Sequence, residues 1–147
     1  MARNGFTLVE LMVVVAVMGL MAGAVVMTVG VPRSSPSGDA TRFASRVAAA
    51  RDEAIVGGRP MSAWVTASGY GFERFAAGRW QPVATAPFDG GDWQQGTRVA
   101  FSRDSDGRAR VRFDSLGMPD AATDVSLQRD GRRSRVRITA NGDVTVD

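Results

Sequence analysis

Gly5-Phe6-Thr7-Leu8-Val9-Glu10 is the stretch on which the reading of this chain turns. Before it stands a short leader carrying Arg3. After it an apolar run continues to Val31, and no charged residue occurs between Glu10 and Arg33. About 20 apolar residues suffice to cross a bilayer as one helix, so residues 6–31 are expected to be a transmembrane helix. Arg3 on the leader side sets a cytoplasmic N-terminus and puts the remainder across the membrane. Glu10 is the anomaly. A carboxylate near the start of a membrane segment costs roughly 2.5–3.5 kcal/mol on insertion scales, and so calls for a partner. An α-amino group freed by cutting after Gly5, on this chain or a neighbour, would be one.

An ordinary signal anchor with Glu10 at the membrane surface is the bland alternative for these residues. The coincidence of basic leader, Gly, aromatic, Glu and apolar run resembles the class III leader of type IV pilins and type II secretion pseudopilins, GFTLVEL being a close match. The resemblance implies cleavage between Gly5 and Phe6 by a prepilin peptidase, and N-methylation of Phe6. It also implies that Glu10 meets a neighbouring subunit's N-terminus during assembly.

Beyond this segment the 147 residues leave enough chain for one modest domain. Cysteine is absent, which excludes a lipobox, disulfides, thiolate metal sites and cysteine catalysis. Histidine is absent too, removing the usual general base and the commonest metal ligand. No glycine-rich phosphate loop with Lys occurs, and all 18 basic residues are arginine. Neither an enzyme nor a cofactor or metal site is expected. Asp104-Ser105-Asp106-Gly107 faintly suggests a calcium loop but lacks the downstream Glu, and plain turn chemistry accounts for it.

Val31-Pro32-Arg33-Ser34-Ser35-Pro36-Ser37-Gly38 is expected to be a linker, because its two prolines restrict the residues before them and lack amide donors. Asp39 is expected to cap an amphipathic helix over residues 40–56. Its stripe is Phe43, Val47, Ala50 and Ala54 with Ala44, Ala48 and Ile55, and Gly57-Gly58 ends it. Short strands are expected at 61–66, 70–75, 78–83, 97–102, 109–114, 124–129, 134–139 and 143–146, with a loop over 84–96 carrying Phe88 and Trp93. The fold class expected is therefore α+β. A long N-terminal helix (6–31) follows the leader (1–5) and precedes the linker (32–38). The globular domain (39–147) then packs the 40–56 helix on an antiparallel β-rich part (60–147), a two-sheet sandwich or bent sheet.

The run ATRFASRVAAARDEAIVGGRPM is similar to the helix-and-exit signature of the GspH/FimT family of minor pilins, AR-x-EAI-x-x-GRP. Here those positions are Ala50, Arg51, Glu53, Ala54, Ile55, Gly58, Arg59 and Pro60. The resemblance implies a pilin-like fold and a non-enzymatic minor pseudopilin of the type II secretion system. Such a subunit is single-pass in the inner membrane, with its domain in the periplasm near the tip of a pseudopilus that moves folded proteins across the outer membrane. Implied partners are the other major and minor pseudopilins, prepilin peptidase, the inner-membrane secretion platform and secreted cargo. The alternative is a FimT/FimU-like minor pilin of a type IV pilus, in assembly priming or DNA uptake. DNA-uptake relatives carry a C-terminal GRxR. This chain has Gly142-Asp143-Val144-Thr145 there, which weighs against DNA as a partner.

Two arginine rows remain. Arg108, Arg110 and Arg112 alternate with Ala109, Val111 and Phe113, and Arg133, Arg135 and Arg137 alternate with Ser134, Val136 and Ile138. If the two strands lie together they form a patch for an acidic partner. Otherwise they are two separate solvated faces, partly neutralised by nearby Asp residues.

Overall fold

The computed structural model describes residues 8–28, 35–102 and 106–147, with side chains in the first segment for 8–19. Gly5, Phe6, linker residues 32–34, Asp104 and Ser105 lie outside the described residues. The chain divides into two compact units, Met1–Arg33 and Ser34–Asp147.

In the first unit, helix α1 runs Leu8–Thr28. Nine large apolar side chains from Leu8 to Met18 are exposed. They occupy every face of the helix, so it has no polar side of the kind a surface helix of a globular domain presents. Among the described residues no helix is long and apolar enough to cross a membrane. The part described with side chains, Leu8–Gly19, measures about 18 Å at 1.5 Å per residue, short of a ~30 Å hydrocarbon core.

The second unit opens with α2, Pro36–Gly57. It starts earlier than the expected 40–56, and Asp39 is not its cap. Ser35 is the extended N-cap residue and Pro36 takes the first turn. Proline is at home there, since its missing N–H would be unpaired anyway and its φ is already helical. The proline expected to break the chain instead begins the helix. Gly58, at φ 58°, ends it in the left-handed conformation, with its own N–H donating to Ile55 O and that of Arg59 to Ala54 O.

Among the described residues nine strands follow: β1 Met61–Val65, β2 Gly69–Ala76, β3 Arg79–Val83, β4 Gly91–Asp92, β5 Arg98–Phe101, β6 Ala109–Phe113, β7 Thr123–Arg129, β8 Arg132–Ile138 and β9 Val144–Val146. They form two antiparallel sheets, β3-β2-β1-β6 with β4 also on β2, and β5-β7-β8-β9. Helix α2 packs against strands of both. Phe43, Ala44, Val47, Ala50 and Ala54 are buried against Met61, Ala63, Val65, Phe72, Val111, Phe113, Val125, Leu127, Val136 and Ile138. Each large side chain buried this way contributes about 1.5–3 kcal/mol. Ile55, expected on the stripe, is 45% exposed.

The 84–96 segment is pinned rather than free. Phe88 and Trp93 are buried, and Trp93 stacks edge-on to Phe43 and tilted on Tyr70. The Trp93 indole donates to Thr66 O at 3.0 Å. Arg46 of α2 donates to Gly90 O and pairs with Asp89 at 3.3 Å. Aromatic burial explains why a Gly-, Asp- and Pro-rich stretch holds one place.

Candidate interaction surfaces

Glu10 lies in the first turn of α1, its side chain exposed. It is the one charged residue of that helix. A negative charge near a helix N-terminus is favourable to the helix itself.

The two arginine rows belong to different sheets. Arg110 and Arg112 lie on β6 and Arg108 just before it, at the edge of the first sheet; Arg133, Arg135 and Arg137 lie on β8, inside the second. Strand pairing therefore does not join the rows. In the first row every guanidinium is engaged. Arg108 lies over the Trp64 ring, 4.8 Å from its centroid. Arg110 pairs with Asp106, and Arg112 with Asp120 at 3.1 Å. Arg110's hydrogen bond holds the Asp106 carboxyl below the usual carboxylate range. Trp64 can lie flat here because its neighbour across the strands is Gly71, where a Cβ would fall 2.3 Å from the indole. On the second sheet Arg137 meets Asp124 at 3.4 Å and Asp147 at 3.8 Å. Arg133 and Arg135 have no such acidic partner among the described residues.

Sequence reasoning missed two polar clusters that organise the domain. Arg129, at the end of β7, is buried with Asp39 of α2, and Gln94 and Thr97 accept from the same guanidinium nitrogen. Alternation placed Arg129 inward with Val125 and Leu127, a signal that was available. The second cluster lies in the α2 signature. Arg51 donates to Gly117 O at 3.1 Å and Asn141 O at 3.4 Å, while Glu53 pairs with Arg74 at 3.2 Å. Pro60 O accepts from Phe75 N at 2.9 Å. These signature residues thus hold α2 to two distant turns and to β2.

The long helix α2 laid on two antiparallel sheets defines the class, a pilin-like fold. The chain superimposes on the minor pseudopilin EpsH from the type 2 secretion system of Vibrio cholerae with a TM-score of 0.65 at 17% identity, covering 77% of this chain and 96% of that one. It superimposes on the Pseudomonas aeruginosa type IV minor pilin FimU with a TM-score of 0.56 at 15% identity, covering 76% and 87%. At such identities the likeness is one of fold. Residues 39–142 match the family described as Type II transport protein GspH, and the chain belongs to that family. Residues 1–26 match the prokaryotic N-terminal methylation motif. The Pseudomonas aeruginosa type II secretion system protein H is 34% identical over 87 residues, 56% of this chain and 51% of that protein. The chain thus spans about half the length of that curated relative.

Proposed function

We propose that this chain is a minor pseudopilin of a type II secretion system. It is inserted in the inner membrane through α1, with its β-rich unit in the periplasm. It assembles near the tip of the short filament that drives folded proteins across the outer membrane. The observation that carries this reading is the presence, on one chain, of the methylation motif over 1–26 and the GspH match over 39–142. The exposed apolar side chains from Leu8 to Met18 support it physically. The uncharged run of sequence between Glu10 and Arg33 supports it too, since about 20 apolar residues suffice for a bilayer-crossing helix. The same apolar side chains would pack among neighbouring helices once the subunit leaves the lipid.

In this reading a prepilin peptidase cuts between Gly5 and Phe6, Phe6 is N-methylated, and the Glu10 carboxylate neutralises the α-amine of an adjacent subunit. A charge in lipid is costly, so pairing it drives the helix into the filament. Partners are the other pseudopilins, the peptidase, the inner-membrane platform and secreted cargo; the role is mechanical rather than enzymatic. Glu10→Ala is expected to leave membrane insertion intact and to cut incorporation into sheared filaments severely. A fully assembly-competent Glu10→Ala protein would sink this role.

The fold shared with FimU supports a second reading, a minor pilin of a retractable type IV pilus. Neighbouring genes distinguish the two, since secretion pseudopilins sit beside other secretion components.

A further inference from the structure

The second sheet carries a basic groove on its outer face. Its register fixes the arrangement: Gln128 of β7 lies between Arg98 of β5 and Arg133 of β8, and Ser126 lies between Ala100 and Arg135. With strands about 4.8 Å apart and alternate residues about 6.8 Å apart, the three arginine Cα positions fall within about 12 Å of one another. Small Ala100 and Ser126 leave a hollow of about 340 Å³ between the longer side chains, lined by Arg98, Gln128 and Arg133. Arg98 and Arg133 are exposed and Arg135 half-buried. Among the described residues none of the three has an ion-pair partner, whereas Arg137, at the other end of the β8 row, holds two carboxylates.

Asp147 stands across the ladder from Arg135 but pairs with Arg137, so three guanidiniums without an ion pair gain when a carboxylate arrives, and their planar forks fit carboxylates two hydrogen bonds at a time. Carboxylates at alternate positions of an extended segment are also about 6.8 Å apart, the spacing of Arg133 and Arg135 along β8. Ser126 and Gln128 offer hydrogen bonds to a peptide backbone. Among the described residues the face has no aromatic side chain on which nucleobases could stack, the usual partner of arginine in single-strand binding. We propose that this groove binds an acidic, extended polypeptide segment of a partner protein, with Arg98, Arg133 and Arg135 as its carboxylate anchors. The proposal stands on the sheet's own geometry and goes beyond the filament role.

The test is fluorescence anisotropy with the full-length chain in detergent micelles and a fluorescein-labelled Glu-Ser repeat peptide as probe, alongside oligothymidylate of equal charge. The triple variant Arg98→Gln/Arg133→Gln/Arg135→Gln is expected to weaken peptide binding about tenfold or more, and Arg108→Gln/Arg112→Gln less than about twofold. Peptide binding that is undetectable in the parent chain, or unchanged in the triple variant, overturns the proposal. So does oligothymidylate binding more tightly through the same arginines, which would assign the groove to nucleic acid. Matching thermal melts establish that the triple variant is folded. Should it not fold, the single variants Arg98→Gln and Arg133→Gln, on separate strands, are each expected to bind about threefold more weakly. Unchanged single variants overturn the proposal equally.

Discussion

Arg129 Nη1 stands 3.3 Å from Asp39 Oδ2, and both side chains are buried. The pair ties the end of β7 to the first turn of α2 across 90 residues of sequence, and Gln94 and Thr97 draw the preceding loop into the same contact. The other terminal nitrogen, Nη2, is buried without an acceptor among the described residues. Such a pair specifies an arrangement more than it adds stability, because desolvating both charges offsets most of their attraction. Removing one partner is a different matter. Arg129→Met strips the Asp39 carboxylate of its buried counter-charge, leaving it only the exposed Arg42 at 3.9 Å and the Gln94 N–H at 3.4 Å, and is expected to cost about 3 kcal/mol in denaturant unfolding. The double variant Asp39→Asn/Arg129→Met is expected to recover a large part of that. A single-variant loss below about 1 kcal/mol would show that water reaches the pair.

Tyr70 is the chain's one tyrosine, so its ionisation can be followed without interference. Burial pushes the phenol above its ordinary 10.0, against the opposing pull of the Arg46 and Arg42 cations. A folded-state value above the unfolded one means that folding favours the protonated form. The stability this contributes is fully present below pH 10.0 and is lost as pH rises through the folded value. Ultraviolet titration is expected to show phenolate appearing at higher pH in the native chain than in urea. Arg46→Gln is expected to move the native midpoint up further. A native midpoint at or below the unfolded one contradicts the buried setting described for this ring.

Gly71 is required by its neighbour rather than by its own backbone. A methyl group there would overlap the Trp64 indole and lift it from the sheet, taking the Arg108 stack with it. Gly71→Ala is expected to destabilise the domain by about 1–3 kcal/mol, the usual range for overfilling a packed site. Gly71→Ala in a Trp64→Ala background should cost far less, because the obstructing ring is gone. Equal penalties in the two backgrounds, read from denaturation midpoints, would disprove the contact.

Strand positions were legible wherever apolar residues alternate, and β6, β7 and β8 show why. Ala109, Val111 and Phe113 face in with Val125, Leu127, Val136 and Ile138, leaving the arginines no other side. The start of α2 was not legible, because Pro36 has two opposite local meanings. Its restricted φ ends a helix from within and begins one from the first turn. The separation of the two arginine rows was equally hidden. Alternation fixes the face a residue takes on its strand, but only long-range pairing decides which sheet receives the strand. Arg98 lay outside the recognised rows for the same reason: it is one strand beyond β7 in space, and 35 residues before Arg133 in sequence. The Gly5–Glu10 stretch was the reverse case. Its meaning lies in the order of its residues, and the methylation-motif match over 1–26 supports that reading.

The most direct measurement for the pseudopilin account is the distribution of exoproteins in a strain lacking this chain. The account predicts that exoproteins disappear from the culture medium and accumulate folded in the periplasm, and that the restored gene reverses both changes. Undiminished secretion from the deletion strain would contradict it.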